Sequence, residues 1–226
     1  MDRVQKLLSN YGYCSRRRAE ELIEQGKVKV NNKTVSLGDK ATEKDEISVE
    51  GVVVSKPKKI YLAFNKPIGC VTALRDAQYP TIMKYIRIKE RVFPVGRLDY
   101  NTSGLLILTN DGDFANHIMH PRYKINKTYC VELSKPIQDS DIKKIERGVV
   151  LEDGRTSPAQ INKISKNKVE INIHEGRNRI VRRIFKSLKY GVKSLERVAI
   201  GNLRLGNLEP KKYRELSDKE QKNIIS

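Results

Sequence analysis

Between Gly96 and Gly112 the chain reads G-R-L-D-Y-N-T-S-G-L-L-I-L-T-N-D-G, and its first half sets two opposite charges, Arg97 and Asp99, in a turn-rich loop ahead of an apolar run. A carboxylate presented from the mouth of a rigid strand suits nucleophilic or general-base chemistry, provided something fixes its charge and its aim. A second cluster offers the cation. His174-Glu175-Gly176-Arg177-Asn178-Arg179-Ile180-Val181-Arg182-Arg183 follows a strand pattern and enters a helix pattern, on which Arg179, Arg182 and Arg183 share one face. Four arginines this close together need anionic company: some can meet phosphate, and one can hold Asp99. Coulomb attraction for such a pair is about 4 kcal/mol at ~4 Å and an effective dielectric near 20, before desolvation is subtracted. Taken alone, a structural ion pair beneath a loop explains the same residues equally well.

Other chemistries find less support. Asp99, Asp111, Asp113, His117 and His120 fall within 22 residues, but Asn110-Asp111-Gly112-Asp113 is also a turn followed by a helix start with Asp113 as N-cap. No zinc-type spacing accompanies them, so no metal is implied. There is no G-x-S-x-G, and Ser103 has no identifiable base. Neither G-x-x-x-x-G-K-[ST] nor G-x-G-x-x-G occurs, so no nucleotide cofactor is implied. Tyr129, in a strand beside Lys127, is ordinarily a half-buried packing residue; facing RNA it offers a flat ring for a flipped base and a phenol able to move a proton. Ser15-Arg16-Arg17-Arg18 places three cations at a helix N-terminus, against the helix dipole, and a bound phosphate would turn that local cost into an anion site. A solvated basic turn is the plain alternative.

The elements that must position these residues are legible from periodicity. Val4, Leu7 and Leu8 share one helical face; Ala19, Leu22 and Ile23 share another, after the N-cap Ser15 and before the closing Gly26. Short strands are expected at Val28–Val30, Thr34–Val35 and Ile47–Val49, and the basic, proline-punctuated stretch Ser55-Lys56-Pro57-Lys58-Lys59 marks a linker. Beyond it, strands are expected over 60–64, 105–109, 128–133 and 168–173, with a weaker one over 200–205. Helices are expected over 113–119, 139–147 and 179–188. Without steady βαβ alternation, the fold class is α+β on a mixed, largely antiparallel sheet.

Charge sharpens the expected partner. The 226 residues hold 45 Lys and Arg against 27 Asp and Glu, a net +18. Met1–Lys59 carries +4 of this and the remainder +14, of which His174–Arg214 supplies +9. Such an excess calls for a polyanion, and without a basic amphipathic anchor nucleic acid is favoured over a membrane. The first ten residues already carry Asp2, Arg3 and Lys6, no apolar run approaches the ~20 residues of a membrane span, and Cys14, Cys70 and Cys130 are widely spaced. The expectation is a cytoplasmic protein with reduced thiols.

Four ordered motifs then carry a resemblance: F-N-K-P-I-G (64–69), the Gly96–Gly112 stretch, K-T-Y-C-V (127–131) and E-G-R-N-R-I-V-R-R (175–183). Together they resemble the bacterial ribosomal pseudouridine synthases of the RsuA/RluB group, and Met1 to Glu50 resembles the small RNA-binding domain named after ribosomal protein S-four. The resemblance implies isomerisation of a uridine in rRNA, with no cofactor, metal or small-molecule cosubstrate. It makes Asp99 the essential aspartate, Tyr129 the tyrosine that stacks on the target base, and Arg182 the arginine that pairs with the aspartate. RNA contacts are expected from Arg16, Arg17 and Arg18 in the small domain, and from Lys66, Arg97, Arg177, Arg179 and Arg183 in the large one.

The implied organisation is an RNA-binding domain over 1–55, a linker over 56–59 and a catalytic domain over 60–226, acting as a monomer. The L-L-I-L-T-N-D-G run and His120-Pro121-Arg122-Tyr123 lean towards members acting on 23S rather than 16S rRNA. Two departures stand out: Ile180 sits where the family commonly has Gln or Glu, and Lys211-Lys212 replaces a glycine-containing turn before Tyr213-Arg214. A non-catalytic rRNA-binding assembly factor is the main rival, with a metal nuclease behind it.

Overall fold

A computed structural model describes residues 1–225. The chain divides into two compact units: one holds 1–60 with 88–93 and 109–112, the other holds 61–87, 94–108 and 113–226.

In the first unit, helices α1 (Val4–Asn10) and α2 (Arg16–Glu24) lie against a four-stranded antiparallel sheet of β1 (Val28–Val30), β2 (Lys33–Thr34), β3 (Ile47–Val49) and β4 (Val52–Val53), in the order β2-β1-β3-β4. The periodicity is realised: Val4, Leu7, Leu8, Ala19, Leu22 and Ile23 are all buried with Val28, Ile47 and Val49 in one core. Each of the valine, leucine and isoleucine side chains among them stabilises the unit by about 1.5–3 kcal/mol. Ser15 caps α2 by accepting from the Arg18 N–H at 3.2 Å, and Gly26 ends it at φ +68°, a left-handed conformation that a Cβ would disfavour.

The second unit is built on a sheet whose main path runs β8-β9-β7-β10-β6-β5-β11. Its strands are β5 (Tyr61–Lys66), β6 (Ser103–Thr109), β7 (Lys127–Leu133), β8 (Gln160–Lys163), β9 (Lys168–Ile173), β10 (Val192–Ile200) and β11 (Tyr213–Glu215). The β8/β9, β9/β7, β7/β10 and β5/β11 pairs are antiparallel, whereas β10 meets β6 in parallel, pairing Glu196 with Ser103 and Arg197 with Gly104. The expected mixed, largely antiparallel α+β architecture is what forms. Leu105 to Leu108 of β6 are wholly buried. This explains a continuous apolar run where a half-exposed strand would alternate.

Helices α3 (Gly112–Met119), α4 (Asp139–Glu146), α5 (Ile180–Ser187) and α6 (Asp218–Ile225) complete the chain. In α5, Ile180, Val181, Ile184 and Phe185 are buried with Val131, Val169, Ile171 and Leu195 of the sheet, leaving Arg182 and Arg183 half-buried beside them. No helix among the described residues is long and apolar enough to cross a membrane.

The expected strand over 200–205 needs correction. The observed strand ends at Ile200, the chain turns through Gly201, and Leu203-Arg204 folds back onto Ala199 and Ile200. The nine-residue β10 that precedes it escapes a hydrophobicity reading because an arginine occupies a core-facing position: Leu195, Arg197 and Ala199 alternate as its buried side.

Candidate active site

Asp99 sits in a loop whose backbone is held from several directions while its side chain is left open. Lys66, at the end of β5, is wholly buried, and its ammonium donates to the carbonyls of Pro67 (3.0 Å), Asp99 (3.1 Å) and Thr102 (2.9 Å). All three of its donors are thereby used. The Thr72 hydroxyl donates to the Leu98 carbonyl at 2.7 Å and accepts from the Leu98 N–H at 3.2 Å. The Thr102 N–H donates to the Asp99 carbonyl, and the Gly69 N–H to the Tyr100 carbonyl, both at 3.0 Å. The Asp99 carboxylate itself is exposed and makes no hydrogen bond or ion pair with a described residue.

It faces a cavity of about 410 Å³, a size typical of small-ligand sites. Tyr129 and Lys127 reach the same cavity from β7, two residues apart and so on one face of the strand. Arg197 enters from β10, directly opposite Tyr129 in the β7/β10 register. Arg97 lies at the loop, and Glu175, Arg177 and Arg179 line the wall where β9 passes into α5.

The cations differ sharply in what they are free to do. Arg197 is buried; its Nε donates to the Leu105 carbonyl at 2.7 Å, and its Nη2 has no hydrogen-bond partner among the described residues. Burial, then the Arg197 charge, brings Lys127 down to about 8. Burial lowers Lys66 in the same direction. Arg97 and Arg179 are exposed and hold no carboxylate of a described residue, whereas Arg177 donates to Glu175 at 2.7 Å and to Asp153 at 3.0 Å. Arg183 is bound to Asp153 as well. Burial would raise the Glu175 carboxyl, but the Ser157 N–H and Arg177 outweigh it and hold the group below the usual range.

Several expectations change accordingly. Lys66, expected on RNA, is sealed beneath the Asp99 loop, where three converging carbonyls offset part of the cost of burying its ammonium. Arg177 and Arg183 are committed to carboxylates of their own unit, which leaves Arg97 and Arg179 as the cavity's exposed arginines without a carboxylate among the described residues. Arg182 makes no ion pair with Asp99. Its Nη2 donates to the Asn101 carbonyl at 2.6 Å and its Nη1 to the Val192 carbonyl at 3.4 Å. Burial and Arg179 lower its pKa while the Asp99 charge opposes them, so the two groups feel one another without touching. In the first unit Arg16 and Arg17 are exposed, while Arg18 is paired with Glu21 at 2.6 Å.

Sequence reasoning passed over Arg197 and named Lys127 only as the neighbour of Tyr129. The signal for Lys127 was present, an i, i+2 partner of Tyr129; that for Arg197 was only the parity of Leu195 and Ala199 around it.

The arrangement is an open carboxylate and an aromatic phenol sharing a cation-walled cavity, suited to chemistry on a small neutral ring delivered on a polyanion. Comparison with known proteins agrees with that chemistry. Residues 52–187 match the family described as RNA pseudouridylate synthase, and residues 2–47 match the S4 domain. The ribosomal large subunit pseudouridine synthase B of Bacillus subtilis is 42% identical over 233 residues, covering 99% of this chain and 96% of that protein. An RNA pseudouridine synthase of Aquifex aeolicus is 46% identical over 227 residues, covering 96% and 91%. The dual-specificity RNA pseudouridine synthase RluF of Escherichia coli K12 is 35% identical over 222 residues, covering 96% and 76%. A crystal structure of a pseudouridylate synthase superposes with a TM-score of 0.75 at 32% identity, covering 99% of this chain and all of that one.

Proposed function

Because this chain belongs to the RNA pseudouridylate synthase family and opens with an S4 domain, we propose that it converts a specific uridine of ribosomal RNA into pseudouridine, with Asp99 as the essential catalytic group and no cofactor. The observation that carries the reading is the open Asp99 carboxylate sharing one cavity with Tyr129. The reaction is an isomerisation. The C1′–N1 bond breaks, the base turns, C5 bonds to C1′, and the C5 proton is replaced at N1, so no redox partner or activated cosubstrate enters the balance.

Asp99 acts at the sugar or the base, Tyr129 stacks on the extruded ring, and Arg182 fixes the loop by holding the Asn101 carbonyl. Extracting the uridine costs a few kcal/mol of unstacking, which stacking on Tyr129 and phosphate contacts at Arg97 and Arg179 offset. Met1–Ser55 serves as the RNA-docking part and residues 60–226 as the catalytic part, in the cytoplasm, with 23S rRNA as the substrate.

The test is Asp99→Asn. The variant is expected to fold and to bind rRNA as the wild type does while forming no pseudouridine. Undiminished product from it would reject the assignment.

A further inference from the structure

The cavity contains a cation that the roles above leave unused. The Lys127 ammonium lines it, half-buried, and makes no ion pair or hydrogen bond with a described residue. Partly burying an unpaired charge is costly, and its charged neighbour Arg197 makes this one costlier still. The carboxylates that line the cavity do not relieve it: Glu175 is taken by Arg177 and the Ser157 N–H, and Asp99 is not within ion-pair reach. A cavity that keeps the Lys127 ammonium unpaired within reach of the Arg197 charge is arranged for negative charge that arrives with the substrate.

Two anions are available, a backbone phosphate and the base itself. The exposed Arg97 and Arg179 suit phosphate. Lys127 projects from the same strand face as Tyr129, two residues away, and so belongs to whatever ring lies on that tyrosine. We propose that Lys127 is a catalytic cation of this site, whose ammonium hydrogen-bonds a uracil carbonyl oxygen as the C1′–N1 bond breaks and its electron pair passes into the ring. The pair left on N1 delocalises onto the oxygen, Lys127 keeps its proton throughout, and the charge leaves the oxygen when C5 bonds to C1′. This role rests on the reading of the chain as an rRNA pseudouridine synthase. It adds a leaving-group site that Asp99 and Tyr129 do not supply.

A group near 8 is mostly ammonium at neutral pH and loses its charge above that value. The titratable and charged groups sharing the cavity are Asp99 and Arg97 from the loop, Tyr129 from the same strand, Arg197 from β10, and Glu175, Arg177 and Arg179 from the wall.

Single-turnover release of tritium from [5-³H]uridine-labelled 23S and 16S transcripts, alongside filter-binding affinity on the same RNA, tests the role. For Lys127→Met the expected result is a rate about 10²–10³ lower, with affinity within about threefold of wild type. Lys127→Arg is expected to keep more than a tenth of the rate and to move the alkaline fall of the pH profile above that of the wild type. A wild-type rate in Lys127→Met would overturn the proposal, as would an affinity loss matching the rate loss, which marks a phosphate contact. An unmoved alkaline limb in Lys127→Arg would overturn it too, even were the methionine variant to fold poorly. Absence of release by the wild type on both transcripts is a distinct result, and it removes the parent reading together with this one.

Discussion

The loop that carries Asp99 takes its rigidity from a lysine enclosed beneath it. The Lys66 ammonium draws the carbonyls of Pro67, Asp99 and Thr102 to one point, so the carboxylate is aimed by its own backbone. Lys66→Met removes three charge-assisted bonds and takes the ammonium donor from the buried Pro67 and Thr102 carbonyls, while recovering part of the ammonium's desolvation. A net loss of about 1–3 kcal/mol in urea denaturation is expected, with turnover abolished under conditions where the variant remains folded. A stable and fully active variant would show that the loop holds itself. Lys127 is the opposite case, a charge kept at the expense of stability. Its folded value is near 8 and the unfolded value near 10.5, so the unfolded chain binds more protons between those limits and stability gained from this group rises with pH across that window. Lys127→Met is therefore expected to be the more stable protein at pH 7, by on the order of 1–2 kcal/mol after solvent screening. The difference should shrink from pH 8 to 10.5; a difference independent of pH would assign it to packing.

At the scale of elements, the parallel pairing of β10 with β6 is what brings Arg197 to the cavity. It depends on Gly104, whose φ is +104° and where a Cβ would overlap the Arg197 backbone carbonyl. Gly104→Ala adds overpacking to backbone strain, about 3 kcal/mol or more. At 2–4 °C per kcal/mol for a chain of this size, thermal melting should fall by roughly 6–12 °C or the protein should fail to accumulate. An unchanged melting temperature would mean that the strands separate there without consequence. The helices were plainer in the sequence than this strand, because Ile180, Val181, Ile184 and Phe185 repeat at helical spacing whereas β10 hides an arginine among its inward positions.

For the whole molecule the controlling quantity is charge. A net +18 gives long-range attraction to RNA, but the arginines expected from the sequence to meet it are not equally available. Arg16 and Arg17 are exposed at the α2 terminus, and Arg18 is shared with Glu21. Replacing Arg16 and Arg17 by alanine is expected to weaken binding for all RNA sequences alike. It should also flatten the salt dependence by about 0.7–0.9 log units per log salt for each phosphate no longer neutralised. Arg18→Ala should change the slope less. A slope untouched by the double replacement would return this terminus to ordinary solvated surface.

The linear sequence by itself determined the α+β class, most of the helices, the buried β6, the capped α2, and the loop that carries Asp99, because these follow from periodicity, turn residues and capping within a few neighbouring positions. It also carried the ordered motifs that point to one family. Tertiary structure alone decided which cations are free. Lys66 and Arg97 look alike as basic residues near Asp99, yet one is enclosed by three carbonyls and the other is open. Arg182 satisfies backbone carbonyls of Asn101 and Val192, Arg177 and Arg183 satisfy Asp153, and Arg197 arrives from a strand far along the chain. A charged side chain's role depends on the acceptors that reach it and the water it loses, and both are set by strand order and register rather than by neighbours in sequence.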